Sequence, residues 1–308
     1  MPIHRFVESR RLNAAVILLS LIVALLLSPG LYARQNQQSV TPKHCLWEIK
    51  TPANRVYLLG SLHLLKSDAY PLAPVIDSAY RNSQKVVFET DIGAMEESAV
   101  QDRMLSMAMY PEGQNLLQHI SPDMQKALQK KLADLGLPLE QLVLFKPWFL
   151  AVTLTTLELQ RLGFSPLSGV DVHYYGRARS DEKEIAYFES IDYQLDLLGN
   201  MSPDDQKSFL GQTLKDLEVA ARMADDMMRY WQNGQAEKLH ALLFKSFEEY
   251  PKIENRLLLQ RNKDWVKQIE TMLGGSENVF IVVGAGHLVG PQSVIDLLRK
   301  KGYKIKQR

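Results

Sequence analysis

The chain has 308 residues, 46% hydrophobic and 23% charged, with 17 Gly, 14 Pro and a single Cys. That composition belongs to a globular protein and excludes the disordered, collagen-like and disulfide-stapled classes. With 36 Lys+Arg against 35 Asp+Glu, no net field draws the protein to nucleic acid or to an anionic membrane surface.

The N-terminus differs in kind from the rest. His4, Arg5, Arg10 and Arg11 precede an almost unbroken apolar run over residues 12–27, then Ser28-Pro29-Gly30-Leu31-Tyr32-Ala33 and a polar tract. A basic start, an apolar stretch, a helix breaker and a small residue form the pattern of a secretory signal, with cleavage after Ala33. The alternative is an uncleaved anchor, since the run falls just short of the ~20 residues that span a bilayer. Either way the expectation is export to the periplasm or the extracellular space, with residues 12–27 the sole membrane contact. The domains expected are residues 1–33 as signal or anchor, 34–44 as polar linker and 45–308 as one α/β domain. Cys45 has no disulfide partner and reads as a small buried hydrophobe.

Further along, Arg55-Val56-Tyr57-Leu58-Leu59-Gly60 and Gln84-Lys85-Val86-Val87-Phe88-Glu89 read as buried strands, short, branched and apolar. Helices are expected over 122–135 and 147–162. Ile185-Ala186-Tyr187-Phe188-Glu189 reads as another buried strand. Ser202-Pro203-Asp204-Asp205 is a helix start: a capping Ser, Pro in the first turn and acids at the positive end. From there Leu210, Leu214, Leu217, Ala221, Ala224, Met228 and Trp231 recur at steps of three and four, one core-facing stripe. A helix over 255–273, the strand Val279-Phe280-Ile281-Val282-Val283-Gly284, a helix over 291–301 and a last alternating strand at 303–306 complete the chain. Continuous apolar strands separated by helices predict an α/β fold: a mostly parallel sheet flanked by helices, with a large helical middle insertion as lid or wall.

The strands end alike. Two run into Gly-x-x-His turns, Gly60-Ser61-Leu62-His63 and Gly284-Ala285-Gly286-His287; two end in Phe88-Glu89 and Phe188-Glu189. In open α/β sheets ligands bind beyond the carboxyl ends of the strands, so parallel strands would bring these imidazoles and carboxylates together. Taken singly each residue has an ordinary structural use; an unpaired carboxylate in a buried strand would be costly, and four such residues on one edge favour a site. In the helix over 255–273, Arg261 shares an apolar face with Leu258, Trp265, Ile269 and Met272 and needs a partner: Glu89, Glu189 or a substrate anion; otherwise it reaches solvent at the seam edge. Asp171 caps a helix or points into the site. His119, His173 and His240 have no such setting. Two chemistries suit the set: His63, His287 and Glu89 hold a divalent metal that acidifies water, or a carboxylate of raised pKa acts as general base while His stabilises charge. No Gly-x-Ser-x-Gly elbow supports a serine nucleophile.

The succession Gly60-Ser61-Leu62-His63, Phe88-Glu89-Thr90, Lys146-Pro147-Trp148, Ser168-Gly169-Val170-Asp171, Arg261-Asn262, Trp265 and Val283-Gly284-Ala285-Gly286-His287-Leu288-Val289-Gly290 resembles the TraB/PrgY/GumN family over residues 45–308. The resemblance implies a fold related to the erythromycin-esterase and ChaN-like α/β proteins and kinship with the Tiki metalloproteases, whose paired Gly-x-x-His motifs and glutamate are held to form the active site. Carried over, His63 and His287 become the paired histidines and Glu89 the acid. The function expected is an exported hydrolase of a peptide or small amide or ester. His63, Glu89, His287 and Arg261 are its catalytic group; Glu189, Asp171 and Asn262 bind substrate; and Mn, Co or Zn is held by His63, His287 and Glu89 if a metal is used. The rival is a protein that sequesters a peptide in the same crevice without cleaving it, or an envelope-assembly factor. No nucleic-acid partner is expected, and nothing in the sequence sets an oligomeric state.

Overall fold

A computed structural model describes residues 43–247 and 250–308. The expected signal or anchor and most of the 34–44 linker lie outside the described residues. Among those described, no helix is long and apolar enough to cross a membrane.

Six strands form one mixed sheet: β1 (Leu46–Lys50), β2 (Arg55–Ser61), β3 (Lys85–Phe88), β4 (Glu184–Tyr187), β5 (Val279–Gly284) and β6 (Ile305–Gln307), in the order β4-β3-β5-β2-β1-β6. β4, β3, β5 and β2 are mutually parallel, and β1 and β6 close the other side antiparallel. The central strands lie between helical layers, which is why their sequences are apolar without alternation. Leu58, Leu59, Val86, Val87, Phe280 and Ile281 are wholly buried. β4 departs from the expected buried strand: it is the sheet edge, with Glu184 exposed and Ile185 to Tyr187 half-buried.

The helices are α1 (Pro74–Arg81), α2 (Ser98–Ala108), α3 (Pro122–Asp134), α4 (Pro147–Arg161), α5 (Val170–Ser180), α6 (Ile191–Gly199), α7 (Pro203–Asp216), α8 (Ala220–Gln232), α9 (Ala236–Phe244), α10 (Pro251–Glu254), α11 (Gln260–Leu273) and α12 (Val294–Lys300). Ser121, Ser190, Ser202 and Ser293 cap α3, α6, α7 and α12 through their hydroxyls, and Pro fills the first turn of α3, α4 and α7, where no N–H is needed. A π-helical segment, Asn255–Leu259, joins α10 to α11.

The single stripe expected from Leu210 to Trp231 is in fact two helices. α7 ends at Asp216 and packs on α4, while α8 restarts at Ala220. The buried face of α8 is Ala220, Met223, Ala224, Met227, Tyr230 and Trp231; Ala221 is exposed and Met228 half-buried. Steps of three and four continue through such a break, so periodicity does not reveal it. The break turns α8 so that Trp231 Nε1 donates to the Gly60 carbonyl at 2.6 Å, at the end of β2.

Candidate active site

The four parallel strands deliver their C-terminal ends to one edge. β2 and β5 are in register, Ser61 opposite Gly284, so the two Gly-x-x-His turns leave the sheet side by side. A Cβ on Gly60 would come within 3.1 Å of Ala285, so that glycine permits the close approach of the two turns. β3 and β4 continue past their ends: Phe188 N–H donates to Phe88 O at 3.0 Å and Glu189 N–H to Glu89 O at 2.9 Å. The structure therefore brings together His63, Glu89, Glu189 and His287.

Arg261 binds them. It is 1% exposed, which removes the reading of a side chain reaching solvent. All five guanidinium N–H donors are used. Nε–H serves Glu189 at 3.0 Å; Nη2 donates to Glu89 Oε2 at 2.6 Å and Glu189 Oε2 at 2.9 Å; Nη1 donates to the Leu257 carbonyl at 2.9 Å and His287 Nε2 at 3.0 Å. The Leu257 carbonyl comes from the π-helical segment, a distortion often found at functional sites. Trp265, one turn on, lies under the guanidinium at 4.7 Å and against the His287 ring at 4.3 Å, and its Nε1–H reaches Glu189 at 2.8 Å.

Glu89 is ionised. Burial pushes its carboxyl up, but the Arg261 charge, the nearby imidazoles and the Gly284 N–H, donated at 2.6 Å, outweigh that and hold it at about 2. The expectation of a carboxylate base with a raised pKa is overturned at Glu89. Gln194, which no sequence pattern marks as a donor, adds a hydrogen bond at 3.3 Å. His287 is neutral: burial first, then Arg261, depress it to about 3. Its Nδ1–H donates to Asn262 Oδ1 at 2.6 Å, and Asn262 Nδ2 donates to the Gln292 carbonyl at 3.0 Å.

His63 stands apart from this network. Nδ1–H donates to Asp171 Oδ2 at 2.7 Å, and Nε2 is buried with no hydrogen-bond partner. Burial lowers its pKa, but the charge and hydrogen bond of Asp171, followed by the charge of Glu89, raise it overall. Asp171 arrives from the first turn of α5, beside Gly169, where a Cβ would meet the His63 carbonyl at 2.5 Å and Asp171 Oδ1 at 2.8 Å. Asp171, Asn262 and Glu189 hydrogen-bond His63, His287 and Arg261 respectively. His119, His173 and His240 pack on Tyr110, Tyr70 and Phe244.

The metal expected on His63, His287 and Glu89 does not fit these donors. The one Nε2 lone pair of His287 accepts an N–H of Arg261 and cannot also ligate a cation, and the guanidinium charge 2.6 Å from Glu89 Oε2 repels a second cation there. Withdrawing the guanidinium would strand a buried charge. Among the described residues no group of three or more His, Cys, Asp and Glu is arranged to hold a metal ion.

The sequence model of the TraB/PrgY/gumN family matches residues 45–307. The chain belongs to this family. It is 25% identical over 260 residues to the uncharacterized protein YbaP of Escherichia coli (strain K12), covering 83% of this chain and 94% of that protein. It is also 22% identical to a metalloprotease TIKI homolog of Nematostella vectensis and 22% identical to metalloprotease TIKI2 of Danio rerio, over 84% of this chain in each case. The matches span 66% and 60% of those two proteins. No solved structure matches the chain.

Proposed function

We propose that this protein is an exported hydrolase of neutral acyl bonds, in a peptide or a small amide or ester, that activates water with the His63–Asp171 pair. The observation that carries the reading is the imidazole itself, its Nδ1–H held by Asp171 at 2.7 Å and its Nε2 lone pair buried and unengaged. That is the arrangement of a general base whose tautomer is set by a carboxylate.

In the step, a water oxygen bonds to the acyl carbon, one water proton passes to Nε2, and the carbonyl π pair moves onto oxygen. Collapse of the tetrahedral intermediate breaks the bond to nitrogen or to the ester oxygen. The leaving group takes the proton back from Nε2–H, giving a carboxylic acid and an amine or alcohol. Asp171 and Glu89 favour the transient imidazolium, the same interactions that raise the His63 pKa. Arg261, Glu89, Glu189 and His287 form a fixed, fully hydrogen-bonded wall whose charges need no reorganisation during the reaction. His63 and Glu89 are each 6% exposed, so substrate entry requires elements packed over the site to move; α6, whose Gln194 bonds Glu89, and α8, whose Trp231 bonds the Gly60 carbonyl, are the candidates.

The similarity to proteins described as metalloproteases supports hydrolysis, and the pattern of residues 1–33 supports export. The test is turnover of a peptide pool and of 4-nitrophenyl acetate, with and without a chelator, by wild type and His63→Ala. Hydrolysis that survives chelation and is lost in His63→Ala is expected. Turnover that vanishes on chelation and returns with Mn²⁺, Co²⁺ or Zn²⁺ would overturn the metal-free base, and no product from any substrate would favour a sequestering protein.

A further inference from the structure

Among the described residues, six buried side-chain polar atoms have no hydrogen-bond partner, and four of them belong to this edge: Ser61 Oγ, His63 Nε2, Thr90 Oγ1 and Asp171 Oδ1. A buried hydroxyl left unpaired loses its hydration with nothing in return, and native proteins carry few such groups. The two hydroxyls belong to residues at or just past the strand ends that carry His63 and Glu89, in a site where every N–H of Arg261 is satisfied. Polar groups left unpaired by the fold are what a substrate pairs with.

The register fixes where the two hydroxyls stand. Ser61 ends β2 opposite Gly284 on one side of β5, and on the other side β3 ends at Phe88, opposite Val282, two residues before Thr90. Ser61 and Thr90 thus stand at the ends of the two strands that flank β5. Ser61 lies two residues before His63; Thr90 follows Glu89. Both are nearly inaccessible, 2% and 3% exposed, so neither is an ordinary solvated hydroxyl.

We propose that Ser61 and Thr90 are substrate-touching residues of this site, Ser61 donating its hydroxyl to the acyl oxygen attacked beside His63 and Thr90 holding a second polar group of the substrate on the far side of β5. This rests on the hydrolytic reading above. Ser61 supplies the donor that the step needs where negative charge develops on oxygen, a task closed to Arg261 because its donors are spent. The surroundings agree: two carboxylates, Glu89 and Glu189, meet the one guanidinium and a third, Asp171, meets His63, a balance that disfavours phosphate or carboxylate at the reacting centre and suits a neutral carbonyl.

The experiment compares Ser61→Ala and Thr90→Val with wild type and His63→Ala, using 4-nitrophenyl acetate and an N-acylated alanine tripeptide 4-nitroanilide, with thermal midpoints for all four proteins. Ser61→Ala is expected to lower kcat on the order of a hundredfold with little change in KM. Thr90→Val is expected to raise KM for the tripeptide more than it lowers kcat. Both variants should melt at or above the wild-type midpoint, because each removes an unpaired buried hydroxyl. Midpoints several degrees lower in both would make the hydroxyls part of the fold and overturn the inference. Full turnover in both variants, with activity lost in His63→Ala, would overturn the inference and leave the hydrolytic reading standing. A wild type silent on both substrates would overturn both.

Discussion

Arg261 Nη1 donates to His287 Nε2 at 3.0 Å. A cation already stands at the position where a metal-binding histidine would present its lone pair. The same guanidinium joins Glu89 and Glu189, so one side chain from α11 ties together the ends of three strands, β3, β4 and β5. The buried Arg–Glu–Glu–His unit is organised as a cation with its ligands, the cation being part of the polypeptide.

Replacing Arg261 should therefore be among the most disruptive single changes in the protein. Arg261→Met leaves two carboxylates buried without their counter-charge, which costs about 3–5 kcal/mol. Arg261→Lys keeps the charge but offers three donors from a point in place of a planar fork of five, and should recover only part of the loss. Urea midpoints of the two variants check this. A Met variant as stable as wild type would show that the network is not what holds the strand ends together.

Acid should loosen the same unit. Glu89 is lowered from 4.5 to about 2 and His287 from 6.5 to about 3. A group whose folded pKa is depressed contributes stability that is present above its unfolded value and lost as pH falls through the folded one. His287 therefore begins to destabilise the fold below pH 6.5 and Glu89 below 4.5, each until its folded value is passed. His287→Gln, which has no proton to gain, should flatten the stability curve between pH 6.5 and 3. Thermal midpoints across that range decide the matter, and an unchanged slope would remove His287 as the acid-sensitive group.

His63 titrates in the opposite sense. Its folded pKa is raised above 6.5, so its contribution to stability is complete below 6.5 and lost as pH rises through the folded value. As a base it works only when neutral, so kcat/KM should rise with pH along a limb centred above 6.5. Asp171→Asn removes the interaction that outweighs burial. The limb should move to lower pH while the plateau falls by at least tenfold, the neutral tautomer no longer being fixed. A limb that stays in place in the variant would sever Asp171 from the titrating base.

Much of the sheet and its edge is legible in the sequence. Val56 to Leu59, Val86 to Phe88 and Val279 to Val283 are buried on both faces, and such strands write themselves as apolar runs; their ends, carrying His63, Glu89, Glu189 and His287, follow from parallel pairing. β1 was not visible. Glu48 and Lys50 interrupt its pattern, and Glu48 is buried only because Arg55 and Arg308 neutralise it from neighbouring strands, a partnership no local window contains. The roles within the site were also hidden. Sequence supplies residue types at an edge, whereas the direction of each hydrogen bond decides which imidazole keeps a free lone pair. Trp265 carried a usable signal, four residues from Arg261 on one helix face; Gln194 carried none.

The close approach at Gly169 gives the last prediction. Its backbone lies against the His63 carbonyl and Asp171 Oδ1, where an added Cβ would sit at 2.5 and 2.8 Å. Neither neighbour is the free end of a flexible side chain: one is backbone leaving β2, and the other is the carboxylate that orients the catalytic imidazole. Gly169→Ala must therefore shift the loop from Pro166 or displace Asp171 from His63. The expected result is a loss of about 1–3 kcal/mol from overpacking, together with a fall in turnover larger than the stability change explains, because small displacements of catalytic groups cost rate steeply. Gly176→Ala, in the helix that Gly169 precedes and with open space around the new methyl, is the control and should leave both turnover and midpoint near wild type. Equal behaviour of the two variants would mean that the His63–Asp171 geometry tolerates movement, and the water-activating role assigned to it would lose its structural basis.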